Sequence, residues 1–488
     1  WTPGPRLAEA LGLADDFVLD SEVTTNRPDM LGMVGFAREV AAILGREFKE
    51  PQEKPIQAAQ LPEISLRLEG ERDGKPLCSR FCAVRIRGVH AATSPWWMKR
   101  RLVAAGVRPV NVLIDITNYV LLEWGQPMHA YDADRLQGGL RVAPGIPGES
   151  FEALNGTTYV LDSSMPTVRD EVGPVALAGI IGGQRAAVDA ATATVLFEAA
   201  TFDEVSIRRT ARALDVATEA AKAFEKGLSS YGPLPALRRA VELCLALAGG
   251  DLSSGVADIA TPRKVEVFSL PEAQARSLMG LPMAGEEMQV LLERLGFSVQ
   301  RQNGVLTAEV PWWRDHDIED GRDLVEEIAR LHGYANMQPV FPAGMSPVPS
   351  DPAFAFEDRL RDLAKGFGFT ELMGYSFVSR EQLERVQIDP ETCLRLANPL
   401  SRDGEFMRPS LGPSLLQAIV ENQERAAAFR VFELSTIYWQ NRPQPALPEE
   451  RAEIVFAVVN DGPEPWVEAK GVAEALLRPL EALRNLDD

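Results

Sequence analysis

Asp323, Glu326 and Glu327 stand at i, i+3 and i+4 in WWRDHDIEDGRDLVEEIARLHGY, so a helix there sets all three carboxylates on one face. Asp317 lies just upstream, where the turn into the helix could swing it over that face. Oxygen donors without Cys or His suit a hard cation, and Mg²⁺ held partly through water fits best. Acidic residues also complement the positive end of a helix dipole, and the spacing alone serves either purpose.

Glu198 interrupts the apolar strand pattern of TVLFEAATF. A carboxylate is seldom buried without a partner, so either the strand end is exposed or Glu198 receives a hydrogen bond. His129, one of four histidines in 488 residues, sits in GQPMHAYD. Its imidazole could move a proton near neutral pH, line a pocket, or pack as a buried ring. PVALAGIIGG ends a buried strand in a glycine turn, where backbone amides can approach a ligand closely. It lacks the P-loop and GxGxxG patterns, and a plain tight turn is the simpler reading. HExxH and paired CxxC motifs are absent, and no nucleophile–His pair can be assigned from linear sequence.

These groups need elements to hold them. LGMVGFAREVAAILG has helical apolar spacing and ends on a glycine suited to a C-cap. From about 75 to 260, β-rich runs (RFCAVRIRGV, VNVLIDITNYVL, PVALAGIIGG, TVLFEAATF) alternate with helical patterns, which predicts a mixed α/β domain. EEMQVLLERLGF predicts an amphipathic helix with Met288, Leu291, Leu292 and Leu295 on one face, stopped by Gly296. FEDRLRDLAKGFGF predicts another, followed by strand-like FRVFELSTIYW. Three proline-rich segments punctuate the chain at 51–63, 339–352 and 442–450, and the second reads as an extended linker.

Bulk properties narrow the class. The chain is too long for one ordinary core, and 45% hydrophobic with 25% charged residues is a globular composition. No apolar run is long enough to span a membrane, and no signal segment opens the chain at Trp1. A net charge of −20 argues against a surface that is basic throughout, so any nucleic-acid contact is local. Lys99–Leu102 (KRRL), after Trp96 and Trp97, is the best such patch, although a solvated helix face is the plainer reading. Cys78, Cys82, Cys244 and Cys393 are too few and scattered for a disulfide framework and read as reduced cysteines of a cytoplasmic protein.

The motifs form an ordered series: SEVTTNRPDMLGMVGFAREVAAI, RPVNVLIDITNYVLLEWGQPMHAYDADRL, LAGIIGG, VLFEAATFDEVSIRRTAR, TEAAKAFEKG, WWRDHDIEDGRDLVEEIARLHGY, MRPSLGPSLLQAIVENQ and FELSTIYW. Over essentially the whole chain this series resembles the β subunit of bacterial phenylalanyl-tRNA synthetase. The resemblance implies an α+β multidomain chain. Its parts would be a remnant of the N-terminal domain (1–60), a mixed α/β editing domain of B3/B4 type (61–261), a small helix-containing B5-type metal-site domain (262–342) and a degenerate class II synthetase-like antiparallel-sheet domain (343–488). The upstream tRNA-binding OB module and the C-terminal anticodon-binding module have no counterpart, as expected of a fragment.

The resemblance further implies an α₂β₂ partner arrangement that charges tRNA for phenylalanine, with ATP used at the α subunit only. An editing site on β would hydrolyse mischarged tyrosyl-tRNA. Carried over residue by residue, Glu198 recognises the tyrosine para-hydroxyl, and Gly182 keeps the pocket open. Thr218 and Ala220 line the pocket, while Asn118 and His129 are polar groups at the cavity. His129 is read as a positioning group rather than an obligate base. Asp317, Asp323, Glu326 and Glu327 match a Mg²⁺ site shared with the α subunit. Where the family commonly reads TEAS-x-RFERG, this chain has Ala221, Ala223 and Lys226, which puts contacts to the tRNA 3′ end in doubt. FRVFEL occupies the place of an ATP-contacting motif without its full pattern, so no ATP site is expected in this chain. Two other readings stand beside this one: a non-catalytic scaffold, and a metal-dependent hydrolase centred on Asp317–Glu327.

Overall fold

The computed structural model describes residues 4, 17–52, 54–56, 61–261, 264–341, 344, 351–439, 447–460, 462 and 464–484. The chain divides into two compact units, Trp1–Pro339 and Val340–Asp488, and its architecture is α+β. Most of the expected 339–352 linker lies outside the described residues. Among them, no helix is long and apolar enough to cross a membrane.

At the centre of the first unit an antiparallel sheet runs in the order Asp251–Leu252, Cys78–Arg87, Thr194–Phe202, Met128–Asp132. Side chains alternate across its two faces. Val195, Phe197 and Ala199, with Cys82, Val84 and Ile86, pack against helices Trp96–Ala104, Val112–Trp124 and Pro233–Leu247. Leu196, Ala200 and Phe202, with Phe81, Ala83 and Tyr131, pack against a second five-stranded sheet. That sheet is ordered Leu66–Leu68, Leu140–Pro144, Pro166–Arg169, Pro174–Leu177, Ile181–Gly182. Burial on both faces explains why TVLFEAATF is apolar almost throughout instead of alternating with polar residues.

The reading of VNVLIDITNYVL as a strand is wrong. Val112–Trp124 is an α-helix, capped by Asn111, whose side chain accepts from the amides of Leu113 (3.0 Å) and Ile114 (3.1 Å). Gly125 ends it in the left-handed region at φ 73°. β-Branched residues lower helix propensity by a few tenths of a kcal/mol each. Two good caps and a buried face outweigh that.

The other expected helices form. Met33–Leu44 ends at Gly45 (φ 60°), and Gly285–Arg294 buries Met288, Leu291 and Leu292. The latter packs with helices Glu272–Met279 and Gly321–His332 around a three-stranded antiparallel sheet of Val267–Pro271, Val305–Glu309 and Ser298–Gln302. In the second unit, helix Pro352–Gly366 lies against a sheet whose long antiparallel pair is Phe429–Trp439 and Glu449–Val459. FRVFEL forms the start of that first strand. Its Glu433 is buried and accepts from Arg408 at 2.6 Å, which makes a structural ion pair.

Candidate active site

The central sheet register sets Glu198 directly opposite His129 and two positions along from the pair that Tyr131 makes with Leu196, on the same face. Directly paired and diagonal residues on one face lie within side-chain reach. All three side chains therefore enter the space between the two sheets. There a partly open hollow is lined by apolar residues including Val168, Ala176, Ile181 and Phe202 together with Gly182 and Ala220. An apolar hollow with a few convergent polar groups is the usual form of a small-molecule site.

Of the two alternatives for Glu198, burial with a partner is the one realised. Its exposure is 5%, and the Tyr131 hydroxyl donates to Oε2 at 2.6 Å. Burial pushes the Glu198 carboxyl up to about 7, and the bond from Tyr131 only partly opposes this. Burial and the neighbouring carboxylate push the Tyr131 phenol well up, so it remains a donor. His129 stacks edge-on against Tyr131, with ring centroids 4.5 Å apart. Burial lowers its pKa to about 4, so the ring is neutral at physiological pH. Its Nε2 is sealed without a hydrogen-bond partner among the described residues. A conjugate acid this strong makes a weak general base.

Gly182 is dictated by that imidazole. A Cβ there would fall 2.3 Å from His129 Cε1 and 2.9 Å from Leu154 Cδ1. Thr218 does not line the cavity. Its hydroxyl donates to the Ile180 carbonyl at 2.8 Å and accepts from the Ala221 amide at 3.1 Å, which ties helix Glu219–Phe224 to the glycine turn. Asn118 is not brought to the cavity either. It belongs to the Val112–Trp124 helix, on the opposite side of the central sheet, so the role carried over from the resemblance does not fall on the cavity here. Ala221 and Ala223 are core residues at 4% exposure, and Lys226 donates to the Val23 carbonyl at 3.0 Å. Tyr131 is the residue that sequence reasoning missed. It lies two positions after His129, and a strand period of two would have placed it on the same face.

The acidic helix is built for a different purpose. Arg314, 2% exposed, donates to both Glu327 oxygens at 2.7 and 2.9 Å and to Asp317. Arg330 binds Glu327 and Glu39, and Arg27 reaches Glu39 at 2.7 Å. Asp323 accepts from the amides of Glu319 and Asp320 in a capping box, and Glu326 is exposed. Burial pushes Glu327 up, but the arginine hydrogen bonds outweigh it and bring the carboxyl down to about 2. Among the described residues no group of three or more His, Cys, Asp or Glu is arranged to hold a metal. The four carboxylates thus do not fit a cation site formed by this chain alone. The cysteines are free, with Cys78, Cys82 and Cys244 buried.

Known families match this arrangement in order along the chain. Residues 77–249 match the B3/4 domain, 268–334 the tRNA synthetase B5 domain, and 338–487 the phenylalanyl tRNA synthetase beta chain CLM domain. Two of these three are named for tRNA synthetases, which sets the class. The phenylalanine–tRNA ligase beta subunit of Solibacter usitatus is 36% identical over 94% of this chain and 60% of its own length. That of Moorella thermoacetica is 38% identical over 90% of this chain and 55% of its own. An N-terminal fragment of the phenylalanyl-tRNA synthetase beta subunit from Pyrococcus horikoshii is 18% identical, covering 64% of this chain and 85% of that one at a TM-score of 0.34. The chain belongs to the family of phenylalanine–tRNA ligase beta subunits. It spans about three-fifths or less of the length of the two curated relatives named.

Proposed function

We propose that this chain carries an editing site that hydrolyses tyrosyl-tRNA, within a ligase that joins phenylalanine to its tRNA. An α subunit would hold the synthetic site and use ATP there. A pocket shaped for an apolar side chain rejects an isostere bearing one extra hydroxyl only about a hundredfold, so a second site that selects for the hydroxyl is needed. The observation that carries the reading is the buried, sparsely partnered Glu198 facing an apolar cavity.

A tyrosyl side chain entering between the sheets would present its phenol to Glu198. Phenylalanine would leave the carboxylate oxygen unsatisfied, at a cost of about 1–3 kcal/mol. Hydrolysis joins a water oxygen to the ester carbonyl carbon. The bond to the terminal ribose oxygen breaks, and that oxygen takes the water proton as free tyrosine leaves. Neutral His129 forms part of the cavity wall beside Glu198 and so positions the ester by its ring. Mg²⁺ enters no step, because Asp317, Asp323 and Glu327 already answer arginines and backbone amides and Glu326 alone is exposed. The Val340–Asp488 unit, on this reading, is a non-catalytic relative of the class II synthetase domain and serves subunit contact.

The test is deacylation by the complex with its α subunit. Wild type should release tyrosine from tyrosyl-tRNA faster than phenylalanine from phenylalanyl-tRNA. Glu198→Ala should reduce that preference by on the order of tenfold or more. Full discrimination by the variant, or no tyrosine release by wild type, contradicts the reading and favours a scaffold.

A further inference from the structure

Tyr131 has no part in the roles carried over from the family, yet it is the partner Glu198 has. Its side chain is 0% exposed, and its hydroxyl lies 2.6 Å from Glu198 Oε2. The other oxygen, Oε1, accepts from no described residue, and it is not among the buried polar atoms left unpartnered. It therefore opens onto the cavity that Glu198 lines.

We propose that Tyr131 is a specificity-positioning residue: its phenol pins Oε2 of Glu198 and so presents Oε1 to a second phenol, that of the bound aminoacyl group. This rests on the editing reading and deepens it. An ionised carboxylate offers about four lone-pair sites on two oxygens, so it can accept an internal and a substrate phenol together. The internal phenol cannot swing freely, because its ring is fixed in the core beside His129. Glu198 is thereby held in one rotamer before substrate arrives, and less ordering is lost on binding.

Charge follows from the same contact. The ionisable groups around Glu198 are His129 and Tyr131 from the paired strand and Cys78 from the neighbouring strand Cys78–Arg87. The facing sheet and the helix Glu219–Phe224 contribute apolar Val168, Ala176, Ala220 and Phe224 to the cavity. Among the described residues it is the Tyr131 hydrogen bond that favours the carboxylate over the acid. Without its hydroxyl, Glu198 would hold its proton to higher pH and be a poorer acceptor at neutrality.

The experiment compares wild type and Tyr131→Phe in the complex with the α subunit, measuring tyrosyl- and phenylalanyl-tRNA hydrolysis from about pH 6 to 9. The variant should lose on the order of five- to tenfold of the tyrosine preference near pH 7. The pH at which the preference is half-developed should also move upward. A second comparison guards against a folding defect: on a Glu198→Gln background, Tyr131→Phe should leave the preference unchanged, and both proteins should melt cooperatively. Equal loss in the two backgrounds, or an unchanged ratio and pH profile, overturns the role of Tyr131 alone. A wild-type complex that hydrolyses neither ester overturns the editing reading, and this role with it.

Discussion

Glu198 and Glu327 are both nearly sealed from solvent, at 5% and 3% exposure. Burial pushes both carboxyls up, yet they settle at opposite ends of their range, about 7 and about 2. Glu327 is met by two arginines, each bidentate, and joins a network that runs through Arg314, Arg330, Glu39 and Arg27. Glu198 is met by one phenol and a cavity. A carboxylate whose acceptor capacity is filled by fixed cations holds elements together. One left half-filled beside an empty apolar space is poised for a ligand.

The largest effect that separates the two is on stability. Arg314→Met strips Asp317 of its buried cation and leaves Glu327 with Arg330 alone. It should cost about 3 kcal/mol in urea unfolding. A loss below about 1 kcal/mol would mean that the network adds little and the contrast is false.

The pH dependence should run in opposite directions. The folded Glu198 carboxyl, near 7, lies above its unfolded value, so its contribution is fully present below about 4.5 and lost as pH rises through 7. Relative to wild type, Glu198→Gln should therefore gain stability between about pH 5 and 8, by up to about 3 kcal/mol. The folded Glu327 carboxyl lies below its unfolded value, so its contribution is present above about 4.5 and lost as pH falls through 2. Thermal melts of wild type, Glu198→Gln and Glu327→Gln across pH check both signs, and parallel curves would refute the assignment.

A smaller effect tests the cavity wall. Gly182→Ala places a methyl against the His129 ring, and overpacking of this kind costs about 1–2 kcal/mol. Both tyrosyl- and phenylalanyl-tRNA hydrolysis should slow, because the imidazole must shift. Unchanged rates for both esters would show that the ring position does not matter.

Much of this arrangement was legible in the sequence. The interrupted strand TVLFEAATF marked Glu198, and the family-like series of motifs placed Gly182, His129 and Ala220 on one cavity. VNVLIDITNYVL was misread as a strand because of its β-branched residues, whereas Asn111 and Gly125 cap a helix; Asn118, carried over from the resemblance alone, lies on that helix and not on the cavity. The acidic spacing in GRDLVEEIARLH was real as a helix face. Of the two cations that answer Glu327, Arg330 stands three residues on in the same helix, whereas Arg314 comes from outside it and leaves no mark on its spacing. Tyr131 was overlooked for a related reason: the partner of Glu198 is a cross-strand neighbour 67 positions away in sequence.

The most direct measurement is a structure of the chain, or of its complex with the α subunit, with free tyrosine bound. The phenol oxygen should lie about 2.6–3.0 Å from Glu198 Oε1, with Tyr131 still on Oε2. Tyrosine bound elsewhere, its phenol turned away from Glu198, or phenylalanine filling the cavity equally well would contradict the account.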